Sequence, residues 1–187
     1  IPWKCGSNTL LLYDVGARRV LLFYRGRVSV LCNGADTTRS QPGGDVVAYM
    51  DEYEDAFHIL DHGQVYDVEP FAPASFQVGE GLVAYTTNTG AFRCFKDGRV
   101  WDVAEYAPAE YHVRDSVLVF TDQGRFKVFD GGAVQTIEST VPQMWKVNGS
   151  TIAYLDLNGV LRTWRKGIRT MVDGESGLTG FDLYPGS

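Results

Sequence analysis

The chain has 187 residues, 44% of them hydrophobic and 21% charged, enough apolar mass for one domain with a buried core. Its formal net charge of −6 and pI near 5.0 argue against nucleic acid as a partner, because such binding needs a basic surface that displaces counterions. No run of about 18 apolar residues occurs, so the sequence offers no membrane-spanning helix.

Ile1-Pro2-Trp3-Lys4-Cys5 comes first, a proline followed by a short apolar phrase. Leu11-Leu12-Tyr13 follows, and this phrase then returns as Val47-Ala48-Tyr49, Val83-Ala84-Tyr85, Leu118-Val119-Phe120 and Ile152-Ala153-Tyr154, with aromatic spacings of 36, 36, 35 and 34. A fixed period in this range marks a repeat architecture. A second phrase comes after each first one, ending on Phe23, Leu60, Phe95, Phe129 and Trp164. A glycine stands next (Gly26, Gly63, Gly98, Gly132, Gly167). It opens a third phrase that most copies write Gly-x-Val-x-x-(Val/Leu/Ile), as in Gly63 to Val68, Gly98 to Val103 and Gly132 to Ile137. Three copies close on Pro-x-x-aromatic-x-Val, at Pro73 to Val78, Pro108 to Val113 and Pro142 to Val147, and Gly180 to Leu183 ends the chain on a similar phrase.

These phrases predict strands. Each is four to six residues long, rich in Val, Tyr, Phe and Trp, and bounded by turn residues. Asp14 to Gly16, Thr87 to Gly90, Asp122 to Gly124 and Asp156 to Gly159 supply the Asx-plus-Gly chemistry of tight hairpins. Four antiparallel strands per 35 residues, repeated about an axis, is an all-β propeller of four-stranded blades. The boundaries read as one domain over 1–187 with repeats at 9–43, 44–79, 80–114, 115–148 and 149–187, and with 1–8 as a spare outer strand. Either five blades close into a ring or the chain is part of a larger propeller, and the spare strand favours the latter. A start at Ile1 rather than Met implies processing, an artificial boundary or a segment of something longer.

The phrases Val-Ala-Tyr, Phe126-Lys-Val-Phe129, Gly-x-Val-Trp-Asp-Val and Ala-Pro-x-x-Tyr resemble the short-blade β-propeller repeats of bacterial envelope and secreted proteins, in the broad neighbourhood of quinoprotein-type and WD-repeat propellers. The resemblance implies a fold and leaves function to be argued from a site. No residue matches a quinone or calcium pocket of the dehydrogenase branch, and Trp101-Asp102 lies in a third phrase instead of closing a scaffold-type repeat.

Candidate chemistry is sparse. Gly79-Glu-Gly81-Leu-Val-Ala84 spells a dinucleotide fingerprint, but it enters a strand where that motif needs a helix N-terminus. His58 and His62 have zinc-pair spacing on a helix, yet along a strand they stand roughly 13 Å apart. Asp14, Asp51, Asp122 and Asp156 follow first strands, where a propeller glycosidase would place its carboxyls; their recurrence reads as turn chemistry instead, because catalysis needs copies that differ. Cys5, Cys32 and Cys94 lack metal spacing; Cys94 replaces a buried Val, and a Cys5–Cys32 bridge stays open. Asn148-Gly-Ser150 fits a glycosylation sequon and equally a hairpin turn.

The repeat breaks at Asp51-Glu52-Tyr53-Glu54-Asp55, a lengthened hairpin with four acids; a charge run of this kind is most often a solvated turn, and as a candidate interaction loop it would meet a basic partner or hold calcium. The tails at Cys32 to Arg39 and Asp173 to Gly177 differ from copy to copy, which suits a protein partner better than a repeated sugar pocket. The sequence therefore predicts a non-enzymatic, cofactor-free interaction propeller. A carbohydrate-binding propeller is the alternative, and a propeller hydrolase comes third. A 13% aromatic content with few lysines and many glycine turns points to an extracellular or cell-envelope location.

Overall fold

A computed structural model describes residues 1–173 and 177–184. The variable tail at Asp173 to Gly177 lies mostly outside the described residues. Five four-stranded antiparallel sheets, the blades, account for every strand among those described. Blade 1 holds β1 (Trp3–Cys5), β2 (Thr9–Asp14), β3 (Arg19–Tyr24) and β4 (Arg27–Asn33). A short 3-10 turn at Thr37–Arg39 leads to blade 2, with β5 (Ser40–Pro42), β6 (Val46–Asp51), β7 (Ala56–Asp61) and β8 (Gln64–Glu69). Blade 3 has β9 (Ser75–Val78), β10 (Leu82–Thr86), β11 (Phe92–Lys96) and β12 (Arg99–Ala104). Blade 4 comprises β13 (Tyr111–Arg114), β14 (Val117–Asp122), β15 (Arg125–Asp130) and β16 (Ala133–Glu138), and blade 5 comprises β17 (Met144–Asn148), β18 (Thr151–Leu155), β19 (Leu161–Arg165) and β20 (Ile168–Asp173). Blades 1–3 form one compact unit, Ile1–Ala107, and blades 4 and 5 a second from Pro108 onward.

Each blade takes its first strand from the fourth phrase of the preceding sequence repeat. Residues 1–8, set aside as a spare outer strand on sequence grounds, supply β1, which pairs with β2 through Trp3–Leu12, Lys4–Leu11 and Cys5–Leu10 at the sheet edge opposite β4. The closing phrase Gly180 to Leu183 forms no strand; it lies along β17, held by an ion pair of 2.6 Å between Lys146 and Asp182. Lys4, at the matching position of β1, likewise reaches past its own blade to the carbonyls of Thr37 and Ser40.

The turn between the second-phrase and third-phrase strands explains the recurrent glycine. In His62-Gly63 both residues have positive φ (51° and 89°), the pair of angles a two-residue type I′ hairpin demands, and the same pair recurs at Arg25-Gly26, Asp97-Gly98, Gly131-Gly132 and Lys166-Gly167. Every blade then carries a β-bulge at one place, where the second strand's partner register slips by a residue: between Phe57 and His58 in blade 2, between Phe126 and Lys127 in blade 4. The bulged residue is the last apolar member of the third phrase, Val68 or Ile137. Because a bulge puts neighbouring residues on one side of a strand, Val68 and Glu69 both face blade 3, and Ile137 and Glu138 both face blade 5.

The core lies between blades. Leu11, Tyr13, Val20 and Leu22 of blade 1 pack on Val47, Tyr49 and Leu60 of blade 2, while Ala48, Met50, Phe57 and Ile59 on the opposite face of blade 2 pack on Val83, Tyr85 and Phe95 of blade 3. In the second unit Val119, Phe126 and Val128 meet Ile152, Tyr154 and Trp164. First-phrase strands are accordingly buried on both faces, as β6 and β10 show, which is why they read as unbroken apolar runs. The Val that opens each third phrase behaves otherwise: Val28, Val65, Val100 and Val134 are exposed on the outer edge strands β4, β8, β12 and β16.

Glycine also sets how closely neighbouring blades approach. A Cβ on Gly6 would lie 1.5 Å from the carbonyl oxygen of Gly43, and one on Gly43 would lie 1.9 Å from that of Gly79. The turns between first and second strands of blades 1, 2 and 3 therefore stack backbone on backbone, and Thr9 Oγ1 adds a buried hydrogen bond of 3.0 Å to the Gly43 carbonyl.

Candidate interaction surface

In each blade the hairpin joining the second-phrase strand to the first lies at the same end as the connection leading to the next blade, as the antiparallel order requires. In the first unit this end carries the lengthened hairpin 52–55, the connections 34–39 and 70–74, and residues 105–107. Three aromatic rings stand out from it: Tyr53 at 79% exposure, Phe71 at 57% and Tyr106 at 68%. Phe71 and Tyr106 occupy one repeat position, immediately before the Ala-Pro pair whose proline opens the fourth phrase. Beside Phe71 the loops frame a cleft of about 390 Å³, floored by Met50, Pro73 and Phe76 and rimmed by Arg39 and Gln41.

The acidic hairpin is built around one carboxylate. Asp51 is buried, and its Oδ1 accepts from the amides of Tyr53 (2.8 Å) and Glu54 (3.3 Å) while Oδ2 accepts from the Asn33 amide (3.0 Å) and side chain (3.3 Å) in blade 1. Burial pushes this carboxyl up, but the amides of Asn33, Tyr53 and Glu54 outweigh it and hold it below the usual carboxylate range. Glu52 pairs with Arg18 of blade 1 at 3.1 Å. Glu54 lies 3.1 Å from His58 Nε2, whose Nδ1 is 2.9 Å from Asp67, with the ring stacked on Tyr49. Asp55 turns the corner at φ 51°. Asp51, Glu52 and Glu54 thus diverge to separate partners, leaving Tyr53 strongly exposed; among the described residues no three His, Cys, Asp or Glu side chains gather where they could hold a metal ion. His62 turns to Asp61 (2.7 Å) and Asp45 (3.8 Å), so the two histidines share no partner.

The other first-strand aspartates are spent on turns. Asp14 accepts from Ala17 N and Arg19 Nε, Asp122 from Lys127, and Asp156 from the amides of Asn158 and Val160 together with Arg162 Nε at 2.8 Å. Burial again raises the Asp156 carboxyl, while Arg162 and the two amides bring it below its ordinary value. The three cysteines are free thiols: Cys5 is exposed, whereas Cys32 and Cys94 are buried, and burial carries the Cys32 thiol up to about 12.

An unanticipated device ties neighbouring blades behind this surface. Glu69, released by the bulge, accepts from Tyr85 Oη (3.0 Å) and from Arg93 Nη1 (2.7 Å) of blade 3, while Arg93 Nε also reaches Asp102. In the second unit Glu138 does the same with Tyr154 (2.9 Å) and Arg169 (2.9 Å). Burial pushes the Tyr85 phenol up, and the facing Glu69 adds to it. The signal was present as a glutamate six residues after the turn glycine in both copies, but the strand alternation hides its direction without the bulge.

Blades of this kind, packed face to face and bearing irregular loops at one end, define a β-propeller protein. The profile of the 10-bladed beta propeller domain family matches residues 2–184, and the chain belongs to that family. The described residues hold five of its four-stranded sheets. No curated protein matches the sequence. Similar solved structures include the computationally designed Ika8 protein (14% identity, TM-score 0.44, covering 87% of this chain and 57% of that one). Kluyveromyces lactis Hsv2 is another (11%, 0.46, 89% and 61%), as is Saccharomyces cerevisiae Prp20p, described with its binding to Gsp1p and histones (9%, 0.49, 88% and 57%). The chain spans about three fifths of the length of these structures.

Proposed function

We propose that the protein is a non-enzymatic interaction propeller that binds a protein partner through the loop end of blades 1–3, at the cell envelope or outside the cell. The observation that carries this reading is the trio of exposed rings, Tyr53, Phe71 and Tyr106, at the loop end of blades 1–3, with the Tyr53 hairpin pinned by its amide on Asp51. Rigid aromatic anchors bury large area at small entropic cost, which is why such residues dominate interface energetics. The acids beside Tyr53 and the net charge of −6 favour a partner with a basic rim. A binding role without catalysis is supported by the aspartates, each committed to turn amides or a neighbouring cation.

The test is capture from an envelope extract on immobilised wild-type chain and on a Tyr53→Ser, Phe71→Ser, Tyr106→Ser triple variant of unchanged melting temperature. A partner retained by wild type in low salt, weakened in high salt and lost on the triple variant supports the reading. Equal retention by both, or specific binding on a glycan array instead, overturns it.

A further inference from the structure

A second recess lies at the opposite, tight-turn end between blades 1 and 2. It arises from a substitution within the repeat. The third residue after each turn glycine pairs with the centre of the second-phrase strand, giving Ser29–Leu22, Tyr66–Ile59 and Trp101–Cys94 in blades 1, 2 and 3. In blade 2 that residue fills the gap to the next blade: the Tyr66 ring packs on Phe95 at 5.1 Å, and its hydroxyl lies 2.9 Å from where a Cβ on Gly98 would stand. Blade 1 has serine instead, and the gap stays open as a cleft of about 550 Å³.

Its lining is amphipathic and cationic. Leu22, Leu60 and Val28 form an apolar wall, with Arg25, Arg27 and His62 around it. Arg25 lies over the Tyr24 ring at 5.0 Å, and neither arginine has an ion-pair partner among the described residues. Tyr24 Oη is buried beside the Asp45 carboxylate and the Arg25 guanidinium. On a protein of net charge −6, two guanidinium groups that pair with no carboxylate among the described residues, beside a ring-sized apolar recess, are a recognition feature. We propose that this cleft binds a small aromatic carboxylate, its ring taking the place that the Tyr66 side chain fills one blade later and its carboxylate meeting Arg25 and Arg27.

The test uses the full chain, with 4-hydroxyphenylacetate as probe and 4-hydroxyphenylacetamide as its uncharged match, followed by two-dimensional NMR. Saturable shifts should cluster on Leu22 to Ser29 and Leu60 to Gly63, with the amide about tenfold weaker, as loss of a charge-assisted contact predicts. Arg27→Gln, an exposed change, should weaken the acid about tenfold and leave the amide unaffected. Ser29→Tyr restores the ring of the neighbouring blade and should abolish binding of both; should that variant unfold, Arg27→Gln and the acid–amide pair still decide. The proposal is overturned by absence of saturable shifts, by equal affinity for acid and amide, or by full binding to folded Ser29→Tyr.

Discussion

Asp51 ties its own hairpin to the end of β4 with one carboxylate, and Asp156 holds one hairpin and a cation in the same manner. Both carboxyls sit below their ordinary value in the folded chain. Their contribution to stability is therefore complete above the unfolded carboxylate pKa of about 3.9, and it is lost as pH falls through the lower folded value. Asp51→Asn and Asp156→Asn should each cost about 1–2 kcal/mol at pH 7, read from urea unfolding, a difference that narrows as pH falls below about 4. A cost that persisted unchanged at pH 3 would show that geometry, not charge, is what these turns require. The same residues show how far the sequence was legible. Recurrence after the first phrase marked them as turn aspartates, whereas the link from Asp51 to Asn33 joins residues 18 apart in different blades, which no local pattern reports.

Blades are held to one another by two repeated devices, a glycine turn stacked on a carbonyl and a glutamate strap. Gly43→Ala would press a methyl carbon into the Gly79 carbonyl, so at least about 3 kcal/mol of destabilisation is expected, or failure to fold. Gly81→Ala, two residues past Gly79 with open space around it, should stay within about 0.5 kcal/mol of wild type; similar losses from both would remove the steric explanation. For the strap, Tyr85→Phe leaves Glu69 still paired with Arg93 and should cost about 1 kcal/mol. Glu69→Ala strips partners from both Tyr85 and Arg93 and should cost more, about 2–3 kcal/mol, in thermal unfolding. Strand alternation alone would aim Glu69 and Val68 to opposite faces; the bulge aims them together, and its place becomes visible only when both strands are paired.

At the scale of the whole molecule, the acidic hairpin separates two readings of its charge. Three of its four carboxylates are divided among Asn33, Arg18 and His58, so melting in millimolar calcium and in EDTA should agree within about 1 °C, because an ion that does not bind the folded state cannot shift its stability. A rise of several degrees in calcium would restore the metal reading. The exposed loop rings and the blade 1–2 cleft lie at opposite ends of the first unit, so loss of one binding property by substitution should leave the other intact.

What the sequence determined by itself is what depends on neighbours in the chain: the 35-residue beat, the four strands per beat, and the X-Gly hairpins whose positive backbone angles Gly26, Gly63 and Gly98 supply. These follow from short-range sterics and from the alternation of apolar residues, which are written locally. Tertiary structure decided the rest. It assigned Trp3–Cys5 to the first blade, turned Glu69 and Glu138 into straps, spent the carboxylates of Asp51, Glu52 and Glu54 on separate partners, and left a cleft where Ser29 replaces an aromatic. Each of these depends on what a neighbouring strand or blade, distant in sequence, presents to that residue, and a pattern read along one strand cannot contain it.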